Sequence, residues 1–276
     1  VLTTDRAGAP ASRLGRGRFL IGSSLKMYFS RERSVEWSEA VADIVREHRA
    51  TAAGAATVFV IPSFLAVEAV GRALGDSGVL LGAQDMYWED GGAFTGEVSG
   101  PQIRELGAVL VEIGHAERRA LFGETDDTVA LKVAAAWRNG LTPVLCIGEV
   151  AEQDPRSAAI ECRTQLSASL SAAREAGLTG DLVVAYEPVW AIGAAEPAGA
   201  DHIRAVCASL GEQVADDPAV GEHRVIYGGS AGPGLLPGIA DSVDGMFLGR
   251  FAHDPEAVRL ILDEIAGIAR IGEPTA

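Results

Sequence analysis

One theme recurs along the chain from residue 19 onward: a short apolar run, a polar loop, then an amphipathic stretch of helical period. The runs lie at 19–23, 57–61, 79–83, 109–113, 142–147, 182–186, 224–227 and 245–248. Each is rich in Val, Ile, Leu or Phe and short enough for a strand. Between them, helix-like stretches carry end signals. The stretch 34–48 opens with Ser34 as its cap, 126–139 stops at Gly140, 154–176 stops at Gly177, and 254–268 has Pro255 in its first turn. Strands alternating with helices pair in parallel, because each helix carries the chain back to the edge it started from. About eight such units in roughly 250 residues is the size of one closed (β/α)8 barrel. The competing architecture, an open doubly wound sheet, needs a glycine-rich dinucleotide turn after its first strand. Gly22-Ser23-Ser24-Leu25-Lys26 lacks that spacing. The expectation is a single α/β barrel over residues 19–276.

Residues 1–18 mix Thr, Gly, Ala, Pro and Arg without a sustained apolar core, which predicts a flexible tail and neither a secretory signal nor a membrane span. Arg13, Arg16 and Arg18 hint at an organelle-targeting peptide, but the apolar helical face such a peptide needs is missing. The net charge of -15 disfavours a nucleic-acid surface or an anionic membrane, so a site for a small anion has to concentrate what positive charge there is. Cys146, Cys162 and Cys207 are widely spaced and form no ligand-like cluster, which favours buried thiols in a reducing cytoplasm over disulfides or zinc.

Chemistry-bearing residues fall where the runs end. Glu187 follows 182–186 and leads into Pro188-Val189-Trp190-Ala191-Ile192-Gly193, a carboxylate handed to a glycine-containing loop with an apolar face. Lys26 follows the first run, His115 the fourth, and Tyr227-Gly228-Gly229-Ser230 closes the seventh. In a parallel barrel the carboxyl ends of the strands form one face, so these residues are expected to converge there. A lone histidine is more often a cap or a core residue, a lone lysine a solvated one, and Glu-Pro a surface turn. The combination at strand ends favours a catalytic base with a closing loop.

Five segments, taken together, resemble the triosephosphate isomerase family over about residue 19 to the C-terminus. They are Leu25-Lys26-Met27, Gly92-Ala93-Phe94-Thr95-Gly96-Glu97, Gly114-His115-Ala116-Glu117-Arg118-Arg119, Ala185-Tyr186-Glu187-Pro188-Val189-Trp190-Ala191-Ile192-Gly193 and Tyr227-Gly228-Gly229-Ser230. The resemblance implies a TIM barrel that moves a proton between adjacent carbons of a phosphorylated hydroxycarbonyl compound through an enediolate, without cofactor or metal. It makes Glu187 the base, Lys26 a positive charge for phosphate and enediolate, and His115 a neutral imidazole at a helix N-terminus that polarises the substrate oxygen. That role of the histidine is carried over from triosephosphate isomerase, itself the standard example of such tuning. Glu117 accompanies Lys26, Arg118 and Arg119 make structural ion pairs or subunit contacts, and Gly193, Ser230 and Gly249 contact the phosphate through backbone N–H groups. The family's fold also implies a homodimer in which Thr95 reaches the partner's active-site loop near Ser24 and His115. An exposed patch of Met86, Tyr87, Trp88 and Phe94 fits such an interface.

The departures from the family pattern bear on substrate. Ser24 stands where the family has asparagine, Leu25 where it has tryptophan, and Tyr28 where it has a second asparagine. Ala116 replaces a serine, Ala194-Ala195-Glu196-Pro197-Ala198 replaces the usual lid run, and Gly249-Arg250 replaces a Gly-Gly pair. Ser24 enlarges one corner, and Arg250 brings a guanidinium to the phosphate or pairs with Asp254 or Glu256. These changes resemble the branch that isomerises tetrulose phosphates, L-erythrulose 1-phosphate to D-erythrulose 4-phosphate, in tetritol catabolism. An ordinary triosephosphate isomerase of glycolysis and a non-catalytic sugar-phosphate-binding barrel are the alternatives.

Overall fold

The computed structural model describes residues 14–271. Eight strands run in chain order: β1 (Phe19–Ser24), β2 (Ala56–Ile61), β3 (Leu80–Ala83), β4 (Leu110–Ile113), β5 (Thr142–Ile147), β6 (Gly180–Tyr186), β7 (Val220–Tyr227) and β8 (Gly245–Leu248). All pair in parallel, and β8 returns to β1, so the sheet closes into a barrel as the alternation predicts. Ser23 sits opposite Val60 on one side and Leu248 on the other. No helix among the described residues is long and apolar enough to cross a membrane.

Closure gives the barrel two apolar regions. The larger lies between strands and helices and takes the outward residues, such as Ile21, Val60, Val111, Val184 and Leu248. The smaller fills the interior and takes Leu20, Phe59, Ile61, Leu110, Val144, Val183, Ile226 and Phe247. The Phe59 and Phe247 rings stack there with centroids 5.6 Å apart. A Cβ on Gly22 would lie 1.9 Å from Phe59 Cζ, so glycine is what admits that ring. Because side chains alternate with period two, the residues two beyond the interior positions also face inward, nearer the carboxyl ends. In β4 that residue is Glu112, two after Leu110. After β6 it is Glu187, two after Ala185.

The helices differ from expectation at their ends. The first spans Arg31–Glu47 and starts earlier, because Ser30, not Ser34, is its cap, accepting from the Arg33 N–H at 3.1 Å. Ser34 Oγ instead donates to the Ser30 carbonyl at 2.8 Å. The stretch 154–176 is two helices, Pro155–Ser169 and Ser171–Glu175, broken at Leu170. The helix Ala200–Ala215 buries Ile203, Val206, Leu210 and Val214, whose spacing in the sequence is that of one helix face.

The tail 1–18 needs correction at its inner end. Residues 1–13 lie outside the described residues, but Leu14 is 1% exposed and belongs to the interior cluster. The Gly17 N–H donates to Thr57 Oγ1 at 3.0 Å, tying the segment to β2. Leu14 is thus part of the barrel's packing. Leu14→Ala is expected to cost about 2–4 kcal/mol through lost burial and a residual cavity. For a domain of this size that lowers the Tm by roughly 5–10 °C in calorimetry, whereas a solvated tail residue would leave it unmoved.

Candidate active site

At the carboxyl ends of the strands, the segment after β1 turns sharply at Lys26, the one non-glycine residue with positive φ (47°) among the described residues. Such a backbone costs about 1 kcal/mol in an L-residue and persists where neighbours hold it. Gln84 does so, donating Nε2–H to the Lys26 carbonyl at 2.9 Å. The turn sends Lys26 Nζ to Glu117 Oε1, 2.6 Å away. Burial works to lower the Lys26 pKa, but the Glu117 hydrogen bond and the charges of Glu117, Glu187 and Glu112 outweigh it and hold the ammonium above its ordinary value.

His115 is the N-cap of the short helix Ala116–Phe122, and its Nδ1 accepts the Glu117 backbone N–H at 3.1 Å. A backbone N–H can only donate, so Nδ1 presents its lone pair and the ring proton belongs on Nε2. Nε2 faces Glu187 Oε2 at 3.5 Å and Glu112 Oε1 at 4.0 Å. Glu187 is 6% exposed, and its Oε2 is buried with no hydrogen-bond partner. Arg119 bonds the Gly114 carbonyl and Asp126, and Arg118 bonds Asp85 and Glu124, so both are structural, as expected.

Lys26, His115, Glu117 and Glu187 line one cavity of about 630 Å³ together with Ser24, Gly193, Ser230, Gly249 and Arg250. The loop after β6 is docked over it. Ala198 donates its N–H to Tyr227 Oη at 3.0 Å, and Ser230 Oγ shares its one proton between the carbonyls of Ala191 and Ala194, 2.9 and 2.8 Å away. Gly193 carries φ 72° in that loop. Arg250 opens the short turn Arg250–His253 and faces the cavity, with Nη2 3.3 Å from where a Cβ on Gly193 would stand. Glu256 pairs with Arg259 instead, and Arg250 forms no ion pair with Asp254 among the described residues.

Other expected residues lie elsewhere. Thr95 is exposed on the loop after β3, outside the cavity of its own chain. The exposed patch is smaller than expected, because Met86 is 1% exposed and packs in the core. Tyr87 and Trp88 are half-buried and stack on each other at 4.0 Å, which leaves Phe94 as the exposed ring.

Two buried carboxylates join the site without having been expected from the sequence. Glu149 accepts from Tyr186 Oη at 3.1 Å and Trp190 Nε1 at 2.8 Å and contacts His202 Nε2 at 3.1 Å, anchoring the root of the loop that carries Gly193. Glu112 accepts a hydrogen bond from Ser24 Oγ at 2.8 Å beneath the cavity. Burial raises its pKa to about 7, with the Glu187 charge adding to that and His115, Ser24 and Lys26 opposing it. Its signal in the sequence is a charge at an inward register position within an apolar run.

The sequence model of the triosephosphate isomerase family matches residues 19–265. The chain is 51% identical over 247 residues to an L-erythrulose-1-phosphate isomerase of Pectobacterium atrosepticum, covering 90% of this chain and 95% of that protein. It is 42% identical to an L-erythrulose-1-phosphate isomerase of Rhizobium etli, over 89% of this chain and 92% of the relative. It is also 42% identical to a triosephosphate isomerase of Moorella thermoacetica, over 75% and 85% of the two chains.

The Glu187 carboxylate has room because residue 228 is glycine: a Cβ there would lie 2.5 Å from Glu187 Cγ and 2.7 Å from Oε1. Gly228→Ala therefore has to displace the carboxylate. The expected result is a fall in kcat on the order of 10²-fold with an unchanged circular dichroism spectrum. A kcat within twofold of the parent's shows that this position of Glu187 is not the reactive one.

Proposed function

The chain belongs to the triosephosphate isomerase family, and on that premise we propose that it interconverts L-erythrulose 1-phosphate and D-erythrulose 4-phosphate. The observation that carries the proton-transfer reading is Glu187 Oε2. It is a buried carboxylate oxygen with no hydrogen-bond partner, at the cavity and 3.5 Å from the Nε2 of a histidine whose other nitrogen is engaged. An acceptor left unsatisfied there is available to a carbon-bound proton.

Glu187 removes the proton from C3 of L-erythrulose 1-phosphate, and the electron pair forms the C2–C3 double bond while charge moves to the C2 oxygen. His115 Nε2–H and the Lys26 ammonium stabilise that oxyanion. Glu187 then returns the proton to C2, and the C3 hydroxyl proton passes to the C2 oxygen. C3 becomes the carbonyl carbon, which on renumbering is C2 of D-erythrulose 4-phosphate. Gly193, Ser230 and Gly249 hold the phosphate, and Arg250 adds a charge-assisted contact to it.

The names of the relatives support the four-carbon substrate, since those from Pectobacterium and Rhizobium are L-erythrulose-1-phosphate isomerases. The match to the Moorella enzyme supports the three-carbon alternative. Turnover of L-erythrulose 1-phosphate and dihydroxyacetone phosphate by the same preparation decides between them. We expect kcat/KM to favour the tetrulose phosphate. A preference for the triose phosphate of tenfold or more, about 1.4 kcal/mol in transition-state discrimination, rejects the reading. Glu187→Ala is expected to abolish turnover of both.

We read the assembly as a homodimer in the cytoplasm. Met27 and Leu65 are 94% and 88% exposed, and Tyr28, Phe64 and Phe94 are exposed near the same strand ends. Large apolar side chains left exposed after β1, β2 and β3 favour a partner, which would also bring a Thr95 to the site. The three free, buried cysteines suit a reducing compartment. Small-angle scattering at micromolar concentration is expected to give twice the 28.7 kDa chain mass, and a monomer mass contradicts the dimer.

A further inference from the structure

Glu112 has no part in the proton transfer just described, yet it is buried in the same constellation. It is 3% exposed, bonded to Ser24 Oγ at 2.8 Å and 4.0 Å from His115 Nε2. We propose that Glu112 is a positioning residue that turns Ser24 into a hydroxyl acceptor, so that the pair selects substrates bearing a hydroxymethyl group on the reacting carbon over those bearing hydrogen. This rests on the tetrulose reading and deepens it.

A serine hydroxyl has one proton and two lone pairs. With its proton committed to the Glu112 carboxylate, Ser24 shows the cavity acceptor character alone. A carbonyl or enediolate oxygen is repelled by that surface and stays with the donors, His115 Nε2–H and the Lys26 ammonium. A substrate hydroxyl is attracted to it. In L-erythrulose 1-phosphate the hydroxymethyl carbon, C4, is attached to C3, from which the proton is taken, and stands at the opposite end of the molecule from the phosphate. On the proposed reading the phosphate lies against the segments after β6, β7 and β8, which bring Gly193, Ser230 and Gly249 to the cavity. The Ser24–Glu112 pair bridges β1 and β4. A triose phosphate has hydrogen where the tetrulose phosphate has this group, and gains nothing from the pair.

The charged and titratable groups facing Glu112 are Lys26 after β1, His115 after β4, Cys146 on β5 and Glu187 after β6. Burial and the Glu187 charge place its titration near 7. Above that pH the carboxylate draws the Ser24 proton. Below it, the protonated carboxyl can donate to Ser24 Oγ, freeing the serine proton to point into the cavity. Selectivity for the tetrulose phosphate therefore rises with pH through about 7. The substrate phosphates titrate in the same range but cancel in a ratio of two phosphorylated substrates.

The experiment measures kcat/KM for L-erythrulose 1-phosphate and for dihydroxyacetone phosphate between about pH 6 and 8.5. The parent, Glu112→Gln and Ser24→Ala are compared. In the parent the tetrulose-to-triose ratio is expected to rise with pH. In Glu112→Gln it is expected to be flat, because the amide oxygen accepts the Ser24 proton at every pH, and in Ser24→Ala at least tenfold lower than in the parent at pH about 8. A parent that favours the triose phosphate overturns the tetrulose reading and this inference with it. A parent that favours the tetrulose phosphate, with a ratio flat in pH and unmoved by either substitution, overturns this inference alone. Should Glu112→Gln fail to fold, the parent's pH profile and Ser24→Ala separate the same outcomes.

Discussion

The pairing of β8 with β1 is the constraint on which the rest of this structure depends. Once the ring is closed, every second residue of eight strands must share one narrow interior, and no edge remains to absorb a misfit. The interior resolves this by depth. Toward the amino ends it is apolar, filled by Leu14 and Leu20, and at mid-depth the Phe59 and Phe247 rings meet beside Gly22, with Phe247 lining the cavity above. Toward the carboxyl ends the same inward register delivers Ser24, Glu112 and Glu187. The polar floor of the cavity is thus the top layer of the core.

That layer holds its charges at a cost. Glu112 and Glu187 are both almost wholly buried and repel each other, with Lys26 and His115 as the nearby opposing groups. Burial raises the Glu112 pKa above its unfolded value, so the folded chain binds more protons than the unfolded one between the ordinary carboxylate range and about 7. Stability therefore falls as pH rises through that window, because ionising Glu112 is harder inside than outside. A buried carboxylate that destabilises the fold at neutral pH is the pattern expected of a site that uses its charge.

Around this layer, hydrogen bonds fix what the strands alone leave loose. Gln84 holds Lys26 in its left-handed turn, and the Glu117 N–H sets the His115 tautomer. Glu149 gathers Tyr186, Trp190 and His202 at the root of the loop over the cavity, while Tyr227 and Ser230 take hold of its far side. Most of these contacts join segments tens of residues apart. The site's geometry is consequently a property of the closed barrel, and none of its segments would keep it alone.

By itself the sequence determined the architecture, since eight apolar runs alternating with helices have one economical closure, and most strand limits came within a residue or two of the observed ones. It also placed Lys26, His115 and Glu187 on one face, because that follows from where a parallel strand ends. Local chemistry misled where two signals compete over short range, as with Ser30 against Ser34, or where a break such as Leu170 carries no glycine or proline. Only the tertiary structure decided that Leu14 belongs to the core, that Met86 is buried, and that Arg250 faces the cavity. It alone brought Ser24 on β1 within 2.8 Å of Glu112 on β4, 88 residues away. The physical reason is that period and spacing set which side of a strand a residue faces. Its neighbours across the interior are set by closure.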